Sequence, residues 1–264
     1  MARLKIVALG SSFAAGPSID PIINQAAMRS GRNYAHQLAE KLDADLVDLT
    51  VSGATLLNVL NEPQETRSGQ IFLPQLEGLL SDADLVTLTG GGNDLGYSYG
   101  MIHDAMLSYA GPLRHLLDRW MEHPATPVDL RQLTDRFIAV IDKVHEIAPK
   151  AKVYLVQYLS VFGESSRPGN GIPLSWEQID YYRRRGVLLD QAYERAVEAR
   201  PEFTKLIPVG KMSEGHEVGT TTPWMEGFTV AMLLRGQVPY HPNLAGHTAV
   251  AEALYRQTQA NQRS

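Results

Sequence analysis

The chain has 264 residues, 44% of them hydrophobic and 20% charged, with a formal net charge of −5 at pH 7 and no cysteine. That length and apolar content suit one large domain with a full core, and the mild negative charge, with no basic run longer than Arg183-Arg184-Arg185, argues against nucleic-acid binding. No apolar stretch reaches the ~18–20 residues of a membrane span, and the lack of thiols excludes disulfides and fits a reducing compartment, so a cytoplasmic location is expected, with a secreted protein already freed of its signal peptide as the alternative.

Leu4 to Leu9 is a short apolar run that ends at Gly10, as a buried parallel strand does. It is too short for a signal peptide and leads straight into Gly10-Ser11-Ser12-Phe13-Ala14-Ala15-Gly16. Tyr34, Leu38 and Leu42 fall at helical spacing. Leu46 to Val51 reads as a second strand leading into Ser52-Gly53-Ala54-Thr55, and Asp84 to Thr89 as a third, stopped by Gly90-Gly91-Gly92 ahead of Asn93 and Asp94. Leu133, Phe137, Val140, Ile141, Val144 and Ile147 share one helix face that Pro149 ends. Lys152 to Tyr158 is a fourth strand and Lys205 to Val209 a fifth. Ser175 and Gln178 have capping-box spacing at the start of a helix running toward Arg200, and Ala245 to Gln259 is a last helix.

Strands alternating with helices predict a parallel sheet covered on both faces, with ligands bound beyond the carboxyl ends of the strands. Ser12, Gly53 and Asn93 each stand at such an end. Two stretches break the pattern. Residues 161–174, rich in Gly and Pro, read as a loop, and residues 95–127 read as an insertion, helical from about Ile102, that forms a lid or a pocket wall. Within the insertion Tyr97, Tyr99 and Met101, directly downstream of Asn93, follow a glycine turn without clear period and are expected to wall a substrate pocket, whereas Leu113, Leu116, Leu117 and Trp120 are expected on a buried helix face.

A Ser hydroxyl attacks a carbonyl only when a base takes its proton and donors hold the charge formed on the oxygen. The chain offers a hydroxyl at Ser12, an amide at Asn93 and an imidazole at His241, the last in His241-Pro242-Asn243-Leu244-Ala245-Gly246. Of the other histidines, His247 fits a packed or capping role in the final helix, and the rest lie in helical or loop stretches without a partner pattern. No His-x-x-x-His or Glu-x-x-His pairing stands where a metal site could form, so neither metal nor cofactor is expected.

In order and spacing, these blocks resemble the SGNH (GDSL-like) hydrolase family, named for a Ser, a Gly, an Asn and a His in succession. The resemblance implies a single-domain three-layer α/β/α sandwich with a mainly parallel five-stranded, flavodoxin-like sheet. It also implies a serine esterase of lipase type, acting on a small-molecule ester through an acyl-enzyme. Ser12 would be the nucleophile, His241 the general base, and the Ser12 N–H, Gly53 N–H and Asn93 amide the oxyanion hole. Phe13, Tyr97, Tyr99 and Met101 would line the substrate pocket. The family's first block reads Gly-Asp-Ser, and here Ser11 takes the place of the Asp. The family's Asp three residues before the His is Val238 here. Relatives lacking that acid use a main-chain carbonyl, so a Ser–His dyad oriented by the Val238 carbonyl is expected. Asp94 is expected to tie down its own turn through local backbone bonds. The same blocks serve acyltransferases and sugar deacetylases, and a non-catalytic binder on this fold is a further alternative. An esterase of this kind needs a neutral imidazole, with an acid limb expected near the ordinary histidine value of ~6.5.

Overall fold

Five parallel strands form the central sheet: β1 (Lys5–Gly10), β2 (Asp45–Asp48), β3 (Leu85–Thr89), β4 (Lys152–Val156) and β5 (Thr204–Ile207), in the spatial order β2-β1-β3-β4-β5. The computed structural model describes residues 3–263 except 122, 124, 125 and 170. β1 and β3 are buried almost throughout, which is why they read as unbroken apolar runs rather than alternating ones. Two short antiparallel pairs, Ile22–Asn24 with Arg29–Ser30 and Gln64–Glu65 with Ile71–Phe72, lie outside this sheet.

The helices are α1 (Ser12–Ala15), α2 (Tyr34–Leu42), α3 (Leu56–Leu60), α4 (Tyr97–Ser108), α5 (Arg114–Trp120), α6 (Leu130–Ile147), α7 (Trp176–Ala199), α8 (Val209–Met212), α9 (Val230–Leu234) and α10 (Leu244–Arg263). α2 packs on α10, whereas α6 packs on α7 and α3, giving one helical layer on each side of the sheet. The apolar face of α6, from Leu133 to Val144, is buried as its period requires. Local capping chemistry fixes the starts. Ser175 Oγ accepts from the Gln178 N–H while Gln178 Oε1 accepts from the Ser175 N–H, and Asp129 with Gln132 repeats the arrangement on α6.

Two boundaries that bear on the site differ from the sequence reading. β2 stops at Asp48, not Val51, because the Asp48 carboxylate turns back to accept from the Thr50 N–H and hydroxyl. α4 begins at Tyr97 rather than near Ile102, since Gly96 in the left-handed region (φ 62°) leads directly into it. The two groups of the insertion also exchange places. Tyr97 is 4% and Met101 0% exposed, packed in the core, while Leu113, Leu116 and Trp120 face outward, Trp120 at 83%. An amphipathic period marks a shared face but does not say whether that face meets the sheet.

Parallel pairing brings the candidate blocks together. Gly10 pairs with Thr89 across β1 and β3, and Ala8 with Asp48 across β1 and β2, so the turns after all three strands leave the same edge of the sheet.

Candidate active site

The turn that carries Ser12 is built on Gly10. Its φ of 137° suits glycine alone, and a Cβ there would lie 2.1 Å from the Thr89 carbonyl oxygen. Gln75, buried, clamps this residue from the side: its Oε1 accepts from the Gly10 N–H at 2.8 Å and its Nε2 donates to the Gly10 carbonyl at 2.9 Å. The Ser11 N–H donates to Thr89 O at 2.9 Å, and Ser12 then opens α1. As a first-turn residue, Ser12 has an N–H with no acceptor within its helix, free to face a ligand.

His241 Nε2 lies 2.7 Å from Ser12 Oγ, and His241 Nδ1 lies 2.8 Å from the Pro239 carbonyl oxygen. A carbonyl only accepts, so the Nδ1 carries the proton and Nε2 is left as an acceptor for the serine hydroxyl. The orienting carbonyl is thus that of Pro239, not of Val238, whose N–H instead donates to Ser18 Oγ. The shift follows from Tyr240, held at φ 58°, which curls the chain so that the nearer carbonyl reaches the ring. Both bonds flanking the His241 peptide, Tyr240 N–H to Glu226 O and Glu226 N–H to His241 O, brace that curl. Burial pushes the His241 imidazole down to about 4, with the Pro239 bond pulling weakly the other way.

Asn93 donates one amide hydrogen to the Ala54 carbonyl at 2.8 Å, which holds it against the Gly53-Ala54 turn and leaves its second N–H available. Gly53 stands exposed in that turn at φ 88°, and Gln64 Nε2 supports it through the Ser52 carbonyl. Asp94 does not tie down its own turn. Its Oδ2 accepts from the Leu56 N–H at the start of α3, and its Oδ1 accepts from Arg136 of α6 at 2.6 Å. The Asn93 turn is therefore fastened to two helices at once.

Ser11, in the place of a carboxylate, shares a hydrogen bond with the Tyr158 hydroxyl at 2.7 Å. Burial pushes the Tyr158 phenol up, so it stays protonated. Phe13 stacks on Tyr158 with ring centroids 4.0 Å apart and lies 5.1 Å from the His241 ring. Phe13 thus backs the imidazole, and Met101 is packed in the core, whereas Tyr97, although buried, contributes to the wall of the larger cavity described next. Tyr99 is half-buried with the Arg67 guanidinium 5.5 Å above its ring.

A pocket of about 350 Å³ opens beside His241, lined by Ile19, Arg32, Glu226, Met232 and Val238 among others. A larger cavity of about 840 Å³ lies past Tyr97 and Tyr158 and carries Asp190, Glu194, Lys211 and Glu217, with neither dyad residue on its wall. His247 takes the packed role expected of it. Its Nδ1 accepts from the Tyr34 N–H at the first turn of α2, its ring stacks on Tyr34, and burial holds it down to about 3. The sequence reading missed Gln75, Tyr158, Pro239 and Tyr240. None carries a local signal, since each acts through long-range packing or through a backbone conformation that a non-glycine residue rarely takes.

The profile of the GDSL-like Lipase/Acylhydrolase family matches residues 8–249. Lipase 2 of Streptomyces coelicolor is 28% identical over 261 residues, covering 94% of this chain and 84% of that protein. Among solved structures, phospholipase A1 of Streptomyces albidoflavus NA297 superposes with a TM-score of 0.74 at 20% identity, covering 96% of this chain and 98% of that one. An extracellular lipase of Streptomyces rimosus superposes at 0.71 and 20% identity, covering 97% and 99%. At such identities these two superpositions speak for the fold.

Proposed function

From the premise that this chain belongs to the GDSL-like lipase/acylhydrolase family, and is a carboxylic ester hydrolase, we propose that it works through an acyl-enzyme on Ser12 with His241 as general base. The observation that carries this reading is the His241 Nε2 to Ser12 Oγ contact of 2.7 Å, with the imidazole's other nitrogen fixed as a donor to Pro239. In the first step Ser12 Oγ attacks the ester carbonyl carbon as His241 Nε2 takes its proton. The oxygen charge that forms would be met by the Ser12 N–H, the Gly53 N–H and the free Asn93 amide hydrogen. Collapse of the adduct breaks the bond to the alcohol, which leaves with the proton from His241. Water then enters, gives its proton to His241 and attacks the acyl carbon. The same donors hold the second adduct, and Ser12 leaves as the alcohol, reprotonated by His241.

The pocket beside His241 suits the departing alcohol, because the proton donor for that group lines it. α4 and the residue that follows it suit a wall on the acyl side: α4 follows Asn93 by one turn, and Tyr109 at its end stacks on Phe228, itself stacked on Tyr240. The outward Leu113, Leu116 and Trp120, together with the name of the Streptomyces coelicolor relative, favour an apolar acyl chain. Labelling by a fluorophosphonate tests the nucleophile. Ser12→Ala should lose the label and the turnover of p-nitrophenyl esters, while Ser11→Ala should keep the label. A Ser12→Ala protein labelled at the wild-type rate would move the nucleophile elsewhere.

A further inference from the structure

α5 poses a physical problem. None of its seven residues is buried, and the short 3-10 turn before it, Gly111–Leu113, buries none either. Isolated helices of this length do not persist in water, and in proteins the stability comes from packing an apolar face. Here Leu113, Leu116 and Trp120 point away from the protein, and of the leucines and tryptophan of this segment only Leu117 is half-buried. Something other than hydrophobic burial must hold the element.

The opposite face of α5 meets α4 through three side chains with metal-binding atoms. His103 of α4, Asp118 of α5 and His123 just beyond it present His103 Nε2, Asp118 Oδ1 and His123 Nδ1, all within 4.8 Å of one another. His103 Nε2 and Asp118 Oδ1 are 3.3 Å apart, and His123 Nδ1 and Asp118 Oδ1 are 3.9 Å apart. In a tetrahedral zinc site with bonds of ~2.0–2.1 Å, neighbouring ligand atoms stand about 3.3–3.4 Å apart. The first pair is already at that separation, and the exposed His123 needs only a short approach. A second observation points the same way. His103 is 6% exposed and its Nε2 has no hydrogen-bond partner, so a buried lone pair or N–H is aimed into the cluster unsatisfied. Its other nitrogen faces Asp104 Oδ1 at 3.9 Å, and the Asp104 carboxylate is itself fixed by the Tyr182 hydroxyl at 2.8 Å.

We propose that His103, Asp118 and His123 bind one zinc ion, with water as the fourth ligand, and that this ion pins α5 to α4. Two imidazoles and a carboxylate favour zinc over the oxygen-seeking magnesium and calcium, and the absence of cysteine leaves no thiolate to compete for it. The binding energy would supply what α5 lacks in burial. The site lies on the insertion, and no step of the ester chemistry passes through it.

The test uses the full-length protein without a polyhistidine tag, stripped of metal and titrated with zinc against a fluorescent chelator. One zinc per chain is expected. Asp118→Asn and His123→Ala, both at solvent-accessible positions, should each weaken binding more than about tenfold, the loss that even an outer-shell change produces. His115→Ala, on the same short helix but outside the cluster, should not. Cobalt in place of zinc should give the visible bands of a four-coordinate site in the wild type and not in Asp118→Asn. The structural half of the proposal is read by trypsin, which can cut after Arg114 and Arg119 within α5. Zinc should slow those two cuts in the wild type and leave them unchanged in Asp118→Asn. Equal zinc affinity in wild type and Asp118→Asn would overturn the site, and zinc binding without protection at Arg114 and Arg119 would overturn the pin.

Discussion

A histidine buried against a neutral carbonyl behaves differently from one buried against a carboxylate. With no anion to stabilise the imidazolium, burial dominates and His241 is pushed down to about 4. With neutral His241 as the proposed base, the rate should fall as pH drops through that value rather than through the ordinary ~6.5. A profile of kcat/KM against pH should therefore show its acid midpoint between about 4 and 5, and a midpoint near 6.5 would mean that water reaches the imidazole freely. Asn93→Ala should lower kcat by about 10²–10³ with little change in KM, since one oxyanion donor is lost. A fall of less than about threefold would reduce Asn93 to its Ala54 contact. At this scale the sequence disclosed the residues that punctuate turns. Gly10, Gly53 and Asn93 sit where strands end, and their chemistry is local. It could not disclose the orienting carbonyl. Whether Val238 or Pro239 faces the ring depends on a left-handed Tyr240, and nothing in the side chain of a tyrosine announces that conformation.

Among elements, the strands, α2, α6 and α7 were legible because hydrophobic period and capping residues agree there with the tertiary arrangement. The insertion was not, because α4 is buried on more than one side and shows little period, while α5 has a clear apolar face turned to solvent. That outward face has a measurable consequence for specificity. If Leu116 and Trp120 meet the acyl chain or the aggregate that carries it, each methylene they shelter is worth up to ~0.8 kcal/mol, about fourfold in kcat/KM. A p-nitrophenyl series from acetate to octanoate should rise before it levels. Leu116→Ser and Trp120→Ser should flatten the rise while leaving acetate turnover within about twofold. A wild-type series that declines steadily from acetate would point instead to a deacetylase acting on a polar alcohol.

For the whole molecule, three buried titrating groups set how stability depends on pH. His241 and His247 are held down to about 4 and about 3 by burial, so between those values and ~6.5 the unfolded chain binds two protons that the folded one does not. Asp190 works in the opposite sense. Burial, helped by Glu194, raises it to about 7, so from ~3.9 to 7 the folded chain holds a proton that the unfolded one has released. The net difference is one proton over roughly pH 4 to 6.5, a slope of about 1.4 kcal/mol per pH unit with stability rising toward neutrality, and the sign reverses just above ~6.5. Urea midpoints should peak near pH 6.5. Asp190→Asn should steepen the acid side and abolish the decline above the peak, and an unchanged curve would show that Asp190 titrates as an ordinary carboxylate. The proposed dyad joins residues 229 apart in sequence, Ser12 from the first strand's turn and His241 from the turn ahead of the last helix. Synthesis runs from the N-terminus at about 5–20 residues per second, so the hydroxyl precedes its base by roughly 10–45 s. During that interval the nascent chain carries an ordinary serine. On the proposed mechanism, reactivity toward esters waits until His241 has been made and has folded against Ser12, so a product stalled or terminated before His241 is chemically silent.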